Sequence, residues 1–153
     1  MKVLNSIVEL PSSNEYGLII GNFDGVHLGH QKLLDEVARE CRQRNQKMVV
    51  VTFVPHPLVI LRNEKSFLLN SYEERRSLLQ DNGVEWLVEI PFSRDLSMTD
   101  PSDFLDEYIL KNKQIKSLFL GHDFVAPHPL PDYITKHKNC LIWNPNFFDK
   151  ILY

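Results

Sequence analysis

The chain has 153 residues, 43% hydrophobic and 24% charged, with a formal net charge of −3. That length makes one domain with a sizeable core and is too short for two full domains, and a net negative charge with no basic patch argues against a nucleic-acid or anionic-membrane surface. Two cysteines, Cys41 and Cys140, imply no disulfide framework and fit a reducing cytoplasm; the N-terminus, broken by Asn5, Glu9 and Pro11, reads as neither signal peptide nor membrane span.

The first element is a short apolar block at 17–20, expected to be a buried strand. From about 30 to 44, Leu33, Leu34, Val37, Ala38 and Cys41 recur at spacings of three and four, which predicts an amphipathic helix. Residues 47–53 contain the β-branched run of a strand covered on both faces. A long connection follows over 55–70, rich in Pro, Asn and charge, and a loop of that length in a compact domain is usually functional. Ser71-Tyr72-Glu73-Glu74 has the capping-box form and opens a helix carrying Leu78 and Leu79, which Asn82-Gly83 stops. Residues 84–90 read as a third strand closed by Pro91. Asp100-Pro101 is an N-cap and first-turn pair, and Phe104, Leu105, Tyr108 and Ile109 form the stripe of a helix running to about 111. Residues 117–120 supply a fourth strand, and 140–143 a short one in the aromatic tail. Strands alternating with helices predict an α/β fold with a parallel sheet, in which ligands bind beyond the C-terminal strand ends.

The chemistry gathers at Gly21-Asn22-Phe23-Asp24-Gly25-Val26-His27-Leu28-Gly29-His30, between the first strand and the first helix. The first N–H groups of a helix lack internal partners and its dipole favours negative charge, so a phosphate fits there. His27 and His30, three apart, can each donate a hydrogen bond to a phosphate oxygen. Gly21 and Gly25 permit a sharp turn, and Gly29 leaves room for close approach. Two other readings are open: the histidines serve only to cap the helix, or they join His56 in a zinc centre. The zinc reading is weakened by an unusual spacing, by the lack of a nearby cysteine and by a glycine-rich approach better suited to phosphate.

The same stretch resembles the H-x-G-H signature of the nucleotidyltransferase superfamily and, as G-N-F-D-G-V-H-L-G-H-Q, the first motif of the bacterial FAD synthetases. Val51-Thr52-Phe53-Val54-Pro55-His56-Pro57-Leu58 is similar to that family's T-F-x-P-H-P segment, and Leu120-Gly121-His122-Asp123-Phe124 resembles its V-G-x-[ND]-F segment. Order and spacing agree, and the resemblance covers roughly residues 15 to 124. It implies a Rossmann-like three-layer nucleotidyltransferase domain that joins ATP and FMN to give FAD and pyrophosphate by in-line attack, with magnesium bridging phosphate oxygens. On that resemblance His27 and His30 are catalytic; Gly21, Asn22, Phe23, Asp24, Gly25, Gly29, Gly121 and Asp123 meet the nucleotide; and Pro55, His56 and Pro57 lie on the flavin side. Each polar residue has a structural alternative: Asp24 could brace the turn, Asp123 could cap a helix, and His56 could form a rigid polar turn between two prolines.

After Phe124 the resemblance departs. The family pattern F-x-F-G-x-x-R-x-G is replaced by Val125-Ala126-Pro127-His128-Pro129-Leu130-Pro131, no arginine follows Arg94, and no I-S-S-T-x-I-R segment occurs to hold the ATP phosphates. The expectation is therefore a core over 1–124, a divergent tail over 125–153, no riboflavin kinase domain, a separate kinase upstream to supply FMN, and impaired adenylyl transfer. Two rivals are a nucleotidyltransferase for another phosphorylated acceptor and a non-catalytic nucleotide-binding remnant.

Overall fold

The structure is a computed structural model and describes residues 1–120 and 141–143. Its centre is β2 (Tyr16–Ile20), five residues all buried, flanked by β3 (Lys47–Val54) on one side and β5 (Ile115–Leu120) on the other. With β1 (Lys2–Leu4), β4 (Trp86–Pro91) and β6 (Leu141–Trp143) they form a six-stranded, wholly parallel sheet in the order β1-β4-β3-β2-β5-β6. The register runs from Gly17 beside Met48 to Ile20 beside Val51, and Ile20 also pairs with Leu120.

Because successive strand residues point to opposite faces, the sheet divides the core in two. Leu18, Ile20, Val49, Val51, Val88 and Leu118 pack on one face with Phe104, Leu105 and Ile109. Ile19, Val50, Leu87 and Phe119 pack on the other against Leu34, Val37 and Cys41 of α1 (Leu28–Gln43) and Leu79 of α3 (Tyr72–Asp81). That is a three-layer α/β arrangement, as the alternation of strand and helix patterns predicts. The chain runs outward from β2 through β3 to β4 and then returns to place β5 on the other side of β2. The end of β2 is thus the switch point of the sheet, where ligands bind in open α/β folds.

The structure refines several elements. β1 is a three-residue edge strand, too short to show a period in sequence. The connection over 55–70 contains α2 (Pro57–Arg62), with Pro57 in its first turn and His56 at its N-cap. A short α4 (Arg94–Ser97) is capped by Ser93. The helix expected over 100–111 begins as α5 (Pro101–Phe104), capped by Asp100, and widens into a π-helical segment, Leu105–Ile109, in which the Leu110 N–H reaches the Leu105 carbonyl at 2.7 Å. No helix among the described residues is long and apolar enough to cross a membrane.

Candidate nucleotide site

Between β2 and α1 the chain folds through a single 3-10 turn, Asp24–Val26, with three left-handed residues: Phe23 at φ 52°, Gly25 at φ 78° and Val26 at φ 40°. Glycine takes that conformation freely, but for a β-branched valine it is a backbone outlier costing about 1–3 kcal/mol. The strain is held by burial, since Phe23 and Val26 are 2% and 1% exposed and share a cluster with Leu34 and Val37. Gly21 serves differently from the expected turn: a Cβ there would stand 2.9 Å from the Phe23 ring, so its bareness lets that ring fold back over the strand end. A Cβ at Gly29 would press on the His27 imidazole at 3.1 Å.

His27 is the N-cap of α1, and its Nδ1 accepts the His30 N–H at 3.4 Å. Its ring stacks on that of His30, centroids 3.7 Å apart and planes 19° apart, and the Phe23 ring lies 5.2 Å from His30. Capping and side-by-side presentation of the imidazoles therefore coexist. The Gln31 amide donates to the Val26 carbonyl at 2.9 Å and ties the turn to the helix.

Both Asp24 carboxylate oxygens accept the Leu69 N–H, at 3.1 and 3.2 Å, which ties the turn to the connection over 55–70. The Asn22 carbonyl accepts from Arg75 Nη1 at 3.1 Å and from Thr52 Oγ1 at 3.3 Å. Pro55 follows a cis peptide bond from Val54. His56 is 6% exposed; its Nδ1 accepts the Leu58 N–H at 3.1 Å, its own N–H donates to Tyr72 Oη at 2.8 Å, and Phe67 meets its ring edge-on at 5.0 Å. Among the described residues no group of three His, Cys, Asp or Glu side chains comes together to hold a metal, so His56 does not join His27 and His30 in a zinc centre. Gly121 and Asp123 lie outside the described residues.

Beneath these loops is a charged network that sequence reasoning passed over. Arg75 and Glu89 are 3% and 4% exposed and approach within 3.6 Å, while Arg76 grips the same carboxylate through Nε at 3.0 Å and through Nη2. Burial lowers the Arg75 pKa, opposed by the Glu89 charge, and the hydrogen bond to Glu89 raises that of Arg76. A glutamate inside the apolar strand run 84–90 was the available signal, because a buried charge requires a partner.

Comparison with known proteins identifies the family. Residues 10–130 match the family model described as FAD synthetase. The chain is 33% identical over 127 residues to the bifunctional riboflavin kinase/FMN adenylyltransferase of Escherichia coli (strain K12), an alignment covering 81% of this chain and 41% of that protein. It is 32% identical over 109 residues to the FAD synthetase of Listeria monocytogenes serovar 1/2a, covering 70% of this chain and 44% of that one. The chain thus spans less than half the length of these relatives. In fold it is similar to the crystal structure of a macrolide-efflux protein from Streptococcus pneumoniae (TM-score 0.73, 20% identity, 93% of this chain and 49% of that one). It is also similar to a pantoate-beta-alanine ligase from Francisella tularensis (TM-score 0.57, 15% identity, 94% of this chain and 66% of that one). With the histidine pair at the switch point and a family model matched over most of the described residues, the chain belongs to the FAD synthetase family.

Proposed function

We propose that this chain carries FMN adenylyltransferase activity, ATP + FMN giving FAD + pyrophosphate, in cytoplasmic FAD biosynthesis. The observation that carries the reading is the stacked His27–His30 pair at the start of α1, at the switch point of the sheet. The reaction needs no protein nucleophile: a phosphate oxygen of FMN attacks the α-phosphorus of ATP, and that phosphorus loses its bond to the pyrophosphate oxygen. Catalysis is then positioning and charge stabilisation, with His27, His30 and the α1 N–H groups facing the phosphates as charge builds. The segment Pro55, His56 and Pro57 is assigned to the flavin side. Gly21, Asn22, Phe23, Gly25, Gly29, Gly121 and Asp123 are assigned to the nucleotide side, with Asp24 bracing that wall from behind. Magnesium is proposed to accompany the ATP phosphates and to supply charge neutralisation there, as hard cations do with phosphate oxygens.

Residues 1–124 are proposed as the adenylyltransferase core, with 125–153 as a divergent tail of the same domain. A non-catalytic nucleotide-binding role is the second reading, favoured by one observation: no arginine follows Arg94 in these 153 residues to meet the departing pyrophosphate. One assay separates the two. Purified chain is mixed with FMN, ATP and magnesium and FAD is resolved by chromatography. Any enzyme-dependent FAD supports the transferase, even well below the roughly 1 per second of ordinary enzymes. Nucleotide binding without FAD selects the second reading, and product only with a different phosphorylated acceptor redirects the specificity.

A further inference from the structure

We infer that Arg75 is a positioning residue that fixes the loop of Asn22 and the segment after Phe53 relative to one another. The inference rests on the adenylyltransferase reading for its kinetic consequence and on geometry for the rest. The Arg75 guanidinium sends Nη1 to the Asn22 carbonyl at 3.1 Å and Nη2 towards the Phe53 carbonyl at 3.5 Å, while Glu89 of β4 lies 3.6 Å from it. The ends of β2, β3 and β4 therefore meet at one side chain. Its neighbour on the first turn of α3 completes the link: the Tyr72 ring lies 5.0 Å from the guanidinium carbon and its hydroxyl takes the His56 N–H at 2.8 Å. Thr52 adds the second donor to the Asn22 carbonyl at 3.3 Å.

Stability alone does not account for this choice of residue. Arg76 takes the close, two-pronged grip on Glu89 and leaves Arg75 the longer approach, so two cations share one carboxylate in a site where packed apolar side chains are often at least as stabilising. What an apolar group cannot do is donate to two carbonyls, one in the loop beyond β2 and one on β3. A lysine, a single point charge on a flexible stem, cannot reproduce the planar fork that spans them. The Asn22 carbonyl belongs to the segment assigned to the nucleotide side, and the Phe53 carbonyl stands two residues before the Pro55–Pro57 segment assigned to the flavin side. The mutual distance of those segments sets the alignment of the attacking and leaving oxygens.

The test uses Arg75→Lys and the double variant Arg75→Met with Glu89→Leu, which removes both buried charges and so keeps the interior neutral. Amide hydrogen exchange is followed over 21–26 and 53–58, with 18–20 and 49–51 as internal controls, beside kcat and KM for FAD formation. The expected result is folded variants in which exchange rises at least about tenfold in the two segments and not in the controls, with kcat down about 10-fold to 10²-fold and both KM values within about threefold. Unchanged exchange in a folded variant overturns the inference, as does a rise in KM with kcat preserved. Failure of both variants to fold also overturns it, because Arg75 is then an element of stability alone. If the wild type makes no FAD, the functional reading fails by itself and the exchange data alone decide the role of Arg75.

Discussion

The imidazoles of His27 and His30 stack with centroids 3.7 Å apart, and the first of them caps the helix that carries the second. Because His27 Nδ1 accepts the His30 N–H, the neutral ring carries its proton on Nε2, which leaves that edge as a donor. Cap and chemistry can then be separated by substitution. His27→Asn keeps a capping side chain and removes the Nε2 donor, whereas His27→Ala removes both. FAD formation is expected to fall by about 10² to 10³ in both variants and in His30→Ala, the loss usual for one preorganised donor. Urea unfolding is expected to show a loss of about 1 kcal/mol in His27→Ala alone. Full activity in His30→Ala would exclude its catalytic assignment.

Asp24 holds the Leu69 N–H with both carboxylate oxygens, 45 positions along the chain. Asp24→Ala is expected to release the segment over 63–70, seen as faster limited proteolysis there. Asp24→Asn retains one acceptor oxygen and is expected to fall between the two. Equal cleavage rates in all three proteins would show that this contact holds nothing in place.

Glu89 is the countercharge for two arginines, one of them buried. Glu89→Leu leaves the Arg75 cation uncompensated and is expected to cost about 3–5 kcal/mol in equilibrium unfolding. The double variant with Arg75→Met is expected to recover much of that loss. A double variant as unstable as the single one would place the cost in packing and not in charge.

The Cys41 thiol, 1% exposed, is pushed by burial from 9.0 up to about 11, and a Cβ at Gly17 would stand only 2.4 Å from its sulfur. The folded state therefore binds this proton more tightly than the unfolded chain. Its contribution to stability is complete below pH 9 and is lost as pH rises from about 9 towards 11. In a Cys140→Ser background the remaining thiol is expected to react with a disulfide reagent at pH 8 only as fast as the protein opens. Reaction at the rate of a free thiol would contradict the burial.

Much of this fold is legible because its central strands are covered on both faces. Val49, Val50 and Val51 leave no reading but a buried strand, and Ser71 with Glu74 announces α3 through the capping box that the structure contains. The histidine turn was legible too, since spacing, glycine and helix start coincide there. What escaped notice has local reasons. Lys2–Leu4 is shorter than any detectable period, α2 sits in a segment whose prolines suggest a loop, and the π-helical segment shifts the register of a stripe without altering its composition. Arg75 escaped because a charge on a helix ordinarily marks the solvated face, and only the third dimension turns it inward beneath Asn22.

The left-handed torsions of Phe23 and Val26 carry one more consequence. Both side chains are sunk in the core, so the cradle between β2 and α1 takes its shape when the protein folds and not when a ligand arrives. Association then forfeits little chain entropy in ordering that turn, and contact energy is retained as affinity. On the adenylyltransferase reading, the hydrophobic packing under the loop becomes a determinant of how tightly a phosphate is held there.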